Sequence, residues 1–474
     1  MTKHWINLAS TFKIFRIMIK IKIFAATVII LMSLNSSAQT PPASVASSLQ
    51  NILDNAVSSS DFSKPGAIMQ VVVPGQWTWS GASGYAISGI TAGQPESLAE
   101  PGFLFRIGSI TKTMVATCIM KMEQEGLLSI DDPISDYLRA TLINDTLMPS
   151  EPIHIRHLLN HTSGVFNSAD NEECQMDVLT NPLGDHTLEE AIFCGGSQGE
   201  YFPAGFAWAY SNTNYSLLAM IIEEVSGISY QEYITQIIFE PLNLQNTMIP
   251  ADNQIDSLHM GCYWNIGYWI DLTIINPTTY TGWADVVSTT DDLNHFFSSL
   301  LNGEIISESQ LDRMKTIDPV SFDYGMGLDF YEYSGHSYFG HYGEVANTSG
   351  MFFADINSEL APNGYYISYN FNYQGAPMFD ESVINLMLEP LNVNVPEMLT
   401  LKVYPNPASD YCTVCFPVRS SETIISLFDL KGNKVKTVGV RSGNTKHTID
   451  LTDCAPGLYL ITVDGFSAQK ILIE

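Results

Sequence analysis

Cations are scarce in this chain. It carries 21 lysines and arginines against 50 aspartates and glutamates, a balance that repels nucleic acid and anionic membrane surfaces. The deficit deepens if residues 1–38 are removed. They hold five of the cations (Lys3, Lys13, Arg16, Lys20 and Lys22) and no acid, so 16 remain against the same 50. Cysteine is sparse too, and its seven copies make an odd number. Cys412 and Cys415 have a metal-like spacing, but no histidine or second cysteine pair completes a site, so no metal is assigned. After residue 40 no run is long and apolar enough to span a bilayer.

What is present begins with an export signal. Four basic residues precede an apolar run over 23–34, which ends in Ser36-Ser37-Ala38, with small residues where a signal peptidase needs them. Cleavage after Ala38 is the expectation, and the run is short of the roughly 20 residues of a membrane anchor. In an exported chain Cys174 and Cys194 can pair across one loop, and Cys412 or Cys415 can pair with Cys454. Cys118 falls on the apolar face of a helix and reads as a core residue.

Periodicity predicts a helix over 41–60, a hairpin over 67–73 and 77–85 around Pro74-Gly75, and a helix from Ser109 to about Gly126. Further helices are expected over 154–160, 214–225, 230–239 and 378–388, and late strands over 351–355 and 365–370. Residues 165–205 read as a loop-rich wall or lid. The pattern is α/β in the α+β sense: a mixed sheet closed by N- and C-terminal strands, flanked by helices, with a helical lobe inserted. Composition changes near Val395-Pro396, giving a catalytic-sized domain over 41–392 and, over 398–474, short strands between turns that predict a small β-sandwich.

The chemistry starts at Ser109-Ile110-Thr111-Lys112. Residues at i and i+3 share a helix face, and a lysine whose pKa is lowered by burial can take a serine proton. S-x-x-K also occurs at Ser10–Lys13 and Ser467–Lys470. The first lies in the export segment. The second falls on a strand, where residues three apart point to opposite faces. Tyr210-Ser211-Asn212 adds a phenol and an amide at a loop-to-helix junction. Gly340-His341-Tyr342-Gly343 adds an imidazole, and a glycine where backbone passes close to a substrate. Leu158 to Gly164, containing His161, is most simply a structural turn.

In this order, helical S-x-x-K, then Y-x-N, then H-x-G, the chain resembles the serine β-lactamase and penicillin-binding-protein superfamily. The nearest type is the class C β-lactamase-like hydrolases, which include D-stereospecific peptidases and esterases. Phe105 to Lys112, Ile155 to Gly164, Pro203 to Tyr215 and Val287 to Leu293 carry the likeness, which covers about residues 45–390. It implies a β-lactamase/transpeptidase-like fold, mostly antiparallel sheet flanked by helices, and an acyl-enzyme on a small-molecule or peptide substrate, with no cofactor. Ser109 would be the nucleophile and Lys112 would assist its deprotonation. Tyr210 would act as general base in acylation and then as general acid. Asn212 would bind the substrate amide or order the lysine. His341 would flank the Tyr210–Lys112 network. The N–H groups of Ser109 and Glu344 would form the oxyanion hole, at roughly 3 kcal/mol each, with Gly343 and Tyr342 beside the substrate.

The H-Y-G element departs from the K-T-G of many relatives, replacing a permanent cation with a group that titrates near neutrality. Tyr342 stands where a small hydroxyl residue helps hold a β-lactam carboxylate. Both turn the expectation from β-lactamase towards esterase or peptidase. A catalytically silent penicillin-binding-like protein, or a surface-binding protein, is the remaining alternative. Finally, Val403-Tyr404-Pro405-Asn406-Pro407-Ala408-Ser409-Asp410 with Gly457-Leu458-Tyr459-Leu460 resembles the type IX secretion sorting domain. It implies export across the outer membrane and a secreted or cell-surface location, with that machinery as partner.

Overall fold

The computed structural model describes residues 39–389 apart from 92, 93, 256 and 322, and residues 402–473 apart from 405, 416–422, 430, 431, 442–445 and 464–468. The export signal, the composition change at Val395-Pro396 and Ser467 lie outside the described residues. The chain separates into two compact units, Met1–Pro390 and Leu391–Glu474.

The first unit is organised by a seven-stranded sheet. Helix α1 (Ala43–Ser58) buries Val45, Leu49, Leu53 and Val57 at helical spacing and leads into β1 (Gly66–Val73), β2 (Trp77–Ile87) and β3 (Ser97–Leu98). The chain returns to the sheet only with β4 (Asp329–Tyr333), β5 (His336–Glu344), β6 (Thr348–Asp355) and β7 (Tyr365–Phe371). The strand order is β3-β2-β1-β7-β6-β5-β4, so the first and last blocks of the unit close on each other, with Val71 opposite Ile367. Every pairing is antiparallel, in line with the mostly antiparallel sheet that the resemblance implies, whereas the pattern of runs alone suggests a mixed one. The strands within each block follow one another through short turns, and short turns can join only antiparallel neighbours.

Between the blocks lie the helices. The 3₁₀ turn Gly108–Ile110 runs into α2 (Thr111–Gln124), which is buried from Thr111 through Met120 and again at Met122. A helix covered on nearly all sides belongs at the centre of a core rather than on its surface. The lobe expected to be mostly loop contains α3 (Glu172–Thr180) and α4 (Leu188–Gly196). Asn171 caps the first, and a Thr187–Glu190 capping box starts the second. A disulfide joins Cys174 to Cys194 across them. Then come α5 (Asn212–Ser226), ended by Gly227 at φ 73°, and α6 (Thr290–Leu301).

The second unit has two antiparallel sheets. One contains Lys402–Tyr404, Tyr411–Cys415 and Lys446–Asp450; the other contains Thr423–Asp429, Lys434–Val440, Gly457–Val463 and Gln469–Ile473. Val414, Ile425, Leu427, Ile449, Ile461 and Ile471 form the core between them. Cys412 and Cys454 are unpaired, so the pairing between them is not formed; the Cys415 side chain lies outside the described residues.

Candidate active site

Ser109 sits half-buried in the tight turn that starts α2, and Lys112 follows on the first turn of that helix. Lys112 Nζ donates to Ser109 Oγ at 2.9 Å and to the Trp283 carbonyl at 3.1 Å. It also lies 5.0, 5.6 and 5.3 Å from the ring centres of Tyr210, Tyr215 and Trp283. The side chain is fully buried. Burial pushes its pKa well below the usual amine value, against the pull of Asp329 and Asp285. Burial thus shifts the balance towards the neutral amine, the form that can accept a proton.

Two glycines fix this turn against the sheet. Gly108 has φ 56°, and a Cβ there would stand 2.4 Å from the Glu344 nitrogen. A Cβ on Gly343 would stand 1.9 Å from the Ile107 carbonyl oxygen. Ser349 Oγ bridges both sides, donating to the Ile107 carbonyl at 2.9 Å and lying 3.1 Å from that of Gly343. Backbone approach this close is open only to glycine. Gly343 is thus a contact to the chain's own nucleophile turn, not the substrate contact expected of it. Glu344, one residue on, lines the cavity in front of Ser109.

Burial pushes the Tyr210 phenol well above its usual value, against a smaller opposing influence of the Ser109 hydroxyl. A raised phenol pKa favours the protonated form of Tyr210, the form that donates rather than accepts a proton. Asn212 opens α5, and its backbone N–H is held by Asn167 Oδ1 at 2.9 Å. Its side chain is 6% exposed, lines the cavity, and leaves Oδ1 without a hydrogen-bond partner. The recorded hydrogen bonds of Lys112 go to Ser109 and Trp283, not to Asn212.

His341 lies behind this group, 2% exposed, its ring 6.4 Å from that of Tyr210. Tyr324 donates to its Nε2 at 3.0 Å, and its Nδ1–H donates to the Tyr342 carbonyl at 2.6 Å. Burial and the nearby Lys112 push its pKa down to about 3. The expected near-neutral titration is therefore absent, because a charged imidazole here would be desolvated beside an amine. Tyr342 points to the other face of β5. Its hydroxyl bonds Asp380 and its ring packs 4.4 Å from Phe352, so it does not line the cavity as expected.

Residues that motif reading passed over complete the rear of the site. His161, fully buried at φ 61°, accepts at Nδ1 from the Ser211 N–H and the Asn214 amide, both at 3.2 Å. Its ring lies 4.3 Å from Tyr210 and 4.7 Å from Tyr324. Asp285 receives the Gly282 N–H at 3.1 Å, bracing the turn whose Trp283 carbonyl holds Lys112. Neither Trp283 nor Tyr324 belongs to a short motif, so only the fold reveals them.

In front lies a cavity of about 850 Å³. Its apolar lining includes Met176, Phe193, Trp264, Leu272, Tyr280 and Trp283. The disulfide cysteines Cys174 and Cys194 line it as well, so the bond ties one side of the mouth.

Comparison with known proteins agrees with this geometry. Residues 53–389 match the family model described as beta-lactamase, and residues 402–474 match the secretion system C-terminal sorting domain. Penicillin-binding protein 4* of Bacillus subtilis (strain 168) is 30% identical over 245 residues, 47% of this chain and 51% of that protein. The chain thus spans about half the length of the curated relatives it matches. A D-stereospecific amidohydrolase from Streptomyces sp. is similar in structure, with TM-score 0.61 and 26% identity over 72% of this chain and 98% of that one. The D-amino acid amidase of Ochrobactrum anthropi SV3 shares the fold, with TM-score 0.59 at 23% identity over 73% of this chain and 97% of that one. The match spans α1 to the last helix of the first unit and the strands of the second: the chain belongs to the beta-lactamase family and carries a C-terminal secretion sorting domain.

Proposed function

We propose that this protein is a secreted serine hydrolase that forms an acyl-enzyme at Ser109 on a small ester or amide, of the esterase or D-amino-acid amidase and peptidase type. The observation that carries the reading is the 2.9 Å contact between a fully buried lysine amine and the Ser109 hydroxyl. Neutral Lys112 takes the Ser109 proton as Oγ attacks the substrate carbonyl. The N–H groups of Ser109 and Glu344 hold the oxyanion, where two donors aimed at developing charge contribute most. Tyr210 gives its proton to the departing nitrogen or oxygen as that bond breaks, and the proton on Lys112 then restores the phenol. Water repeats the sequence on the acyl ester and frees Ser109.

Asn212 Oδ1 accepts from the substrate amide, and His341, Tyr324 and His161 keep the rear wall dry and the rings in place. The sorting domain supports delivery to the cell surface through the type IX machinery, after export directed by residues 1–38. A fluorophosphonate probe is expected to label the wild-type protein and not Ser109→Ala. Equal labelling of both, or none of the wild type, overturns the reading.

A further inference from the structure

The cavity is charged on one side only. Among the described residues its lining contains Glu173, Asp177, Glu190 and Glu344 but no lysine or arginine. Two of these acids are engaged within the protein: Asp177 lies 3.4 Å from His186 Nε2, and Glu190 accepts the N–H and hydroxyl of Thr187. Glu344 is different. Its carboxylate meets the neutral Gln374 amide at 3.3 Å, no lysine or arginine pairs with it among the described residues, and its backbone abuts the turn that carries Ser109.

The charged side chain facing a substrate near Ser109 is thus an anion, set between apolar walls that include Phe193, Trp264 and Trp283. A carboxylate on the substrate would meet like charge with no lysine or arginine in the lining to offset it, whereas an ammonium would find a carboxylate held only by neutral donors.

We propose that Glu344 is a specificity-determining residue that selects acyl groups bearing an ammonium close to the scissile carbonyl, together with an apolar side chain. The substrates are then amides or esters of apolar amino acids with a free amine, and carboxylate-bearing β-lactams and N-succinylated analogues are excluded. This rests on the acyl-enzyme reading above.

The test compares kcat/KM of the full-length secreted protein at pH 7 on three p-nitroanilides of D-phenylalanine: free amine, N-acetyl and N-succinyl. The free amine is expected to exceed N-acetyl by at least about tenfold and N-succinyl by about a hundredfold, mainly through KM, as close charge pairs and like-charge contacts imply. Glu344→Gln should collapse the free-amine to N-acetyl ratio towards one, and Glu344→Lys should invert the order in favour of N-succinyl. Fluorophosphonate labelling of each variant shows that its serine is intact. Equal rates on the three substrates in a labelled wild type, or ratios unchanged in labelled variants, overturn the selection and leave the acyl-enzyme standing. Absence of labelling in the wild type overturns both.

Discussion

The catalytic cavity has two walls of opposite character. The rear wall is buried and closely hydrogen-bonded: Lys112, His161 and His341 are at most 2% exposed, and Tyr215 and Tyr324 enclose them. Lys112, Tyr215 and His341 are carried by α2, α5 and β5; α2 and α5 supply much of the main core, and Phe339 of β5 packs against it. The front wall is carried by α3 and α4, where Met176 is 54% and Phe193 59% exposed and α3 buries no residue at all. At the rear, burial lowers the pKa of the Lys112 amine and raises that of the Tyr210 phenol. At the front the same cavity offers charge and apolar surface that water still reaches. Proton transfer is expected to depend on the first wall, and substrate selection on the second together with Glu344 at the end of β5, so substitutions should separate kcat from KM.

The largest separation is expected at Lys112. Lys112→Met keeps the length of the side chain and removes the amine, so kcat/KM should fall by about 10³ to 10⁴, the upper range for a lost general base. Thermal stability should hold or rise, because a buried amine whose charged form is strongly disfavoured is replaced by an apolar chain. An activity loss explained by unfolding would show as a lower Tm and would break the comparison at its root. In the wild type, activity should fall as pH drops through the lowered Lys112 pKa, since protonation removes the base.

His341 sharpens the same wall with a smaller effect. Its folded pKa of about 3 lies below the ordinary 6.5, so between those values the unfolded chain binds a proton that the native one does not. Stability from this group is complete above about pH 6.5 and is lost as pH falls towards 3. His341→Gln should flatten part of that slope in urea titrations. It should lower kcat/KM by about tenfold, roughly the worth of one hydrogen bond of about 1.4 kcal/mol, and leave the apparent pKa of the rate profile where it was. A shifted rate pKa would return His341 to the role of a titrating partner.

The rear wall was far more legible in the sequence than the front. Ser109, Lys112, Tyr210 and Asn212 lie in short motifs because each must sit at a helix start, and helix starts have local rules. The same locality misled at Tyr342: H-Y-G fixes a strand, but whether the tyrosine faces substrate or α-helix depends on Asp380, 38 residues on. His341 precedes the late strands expected from sequence but lies on β5, and its charge state follows from burial beneath Tyr324, which no spacing encodes. The fold class was readable from its alternating and helical runs. Closure of the sheet by its first and last strands was readable too; the register was not, because β1 meets β7 across almost 300 residues. At the front, the capping signals of Asn171 and Thr187–Glu190 were present in a segment read as loop, outweighed by its glycines and prolines.

The front wall offers the smallest and most selective test. Helix α3 has no buried residue, so packing contributes little to holding it over the cavity. Its anchors are the Asn171 cap, whose amide also donates to the Cys194 carbonyl at 2.7 Å, and the Cys174–Cys194 bond. The bond closes a loop with a sequence separation of 20, for which chain entropy alone suggests about 3 kcal/mol. That energy acts on a local segment rather than on the core. The double variant Cys174→Ser/Cys194→Ser should therefore raise KM for amino-acid anilides several-fold, by roughly 1 kcal/mol of lost positioning. Its kcat and the rate of fluorophosphonate labelling should stay within about twofold of wild type. An equal fall in kcat would mean that the two walls move together, because a lid that only frames the substrate has no route to the buried lysine.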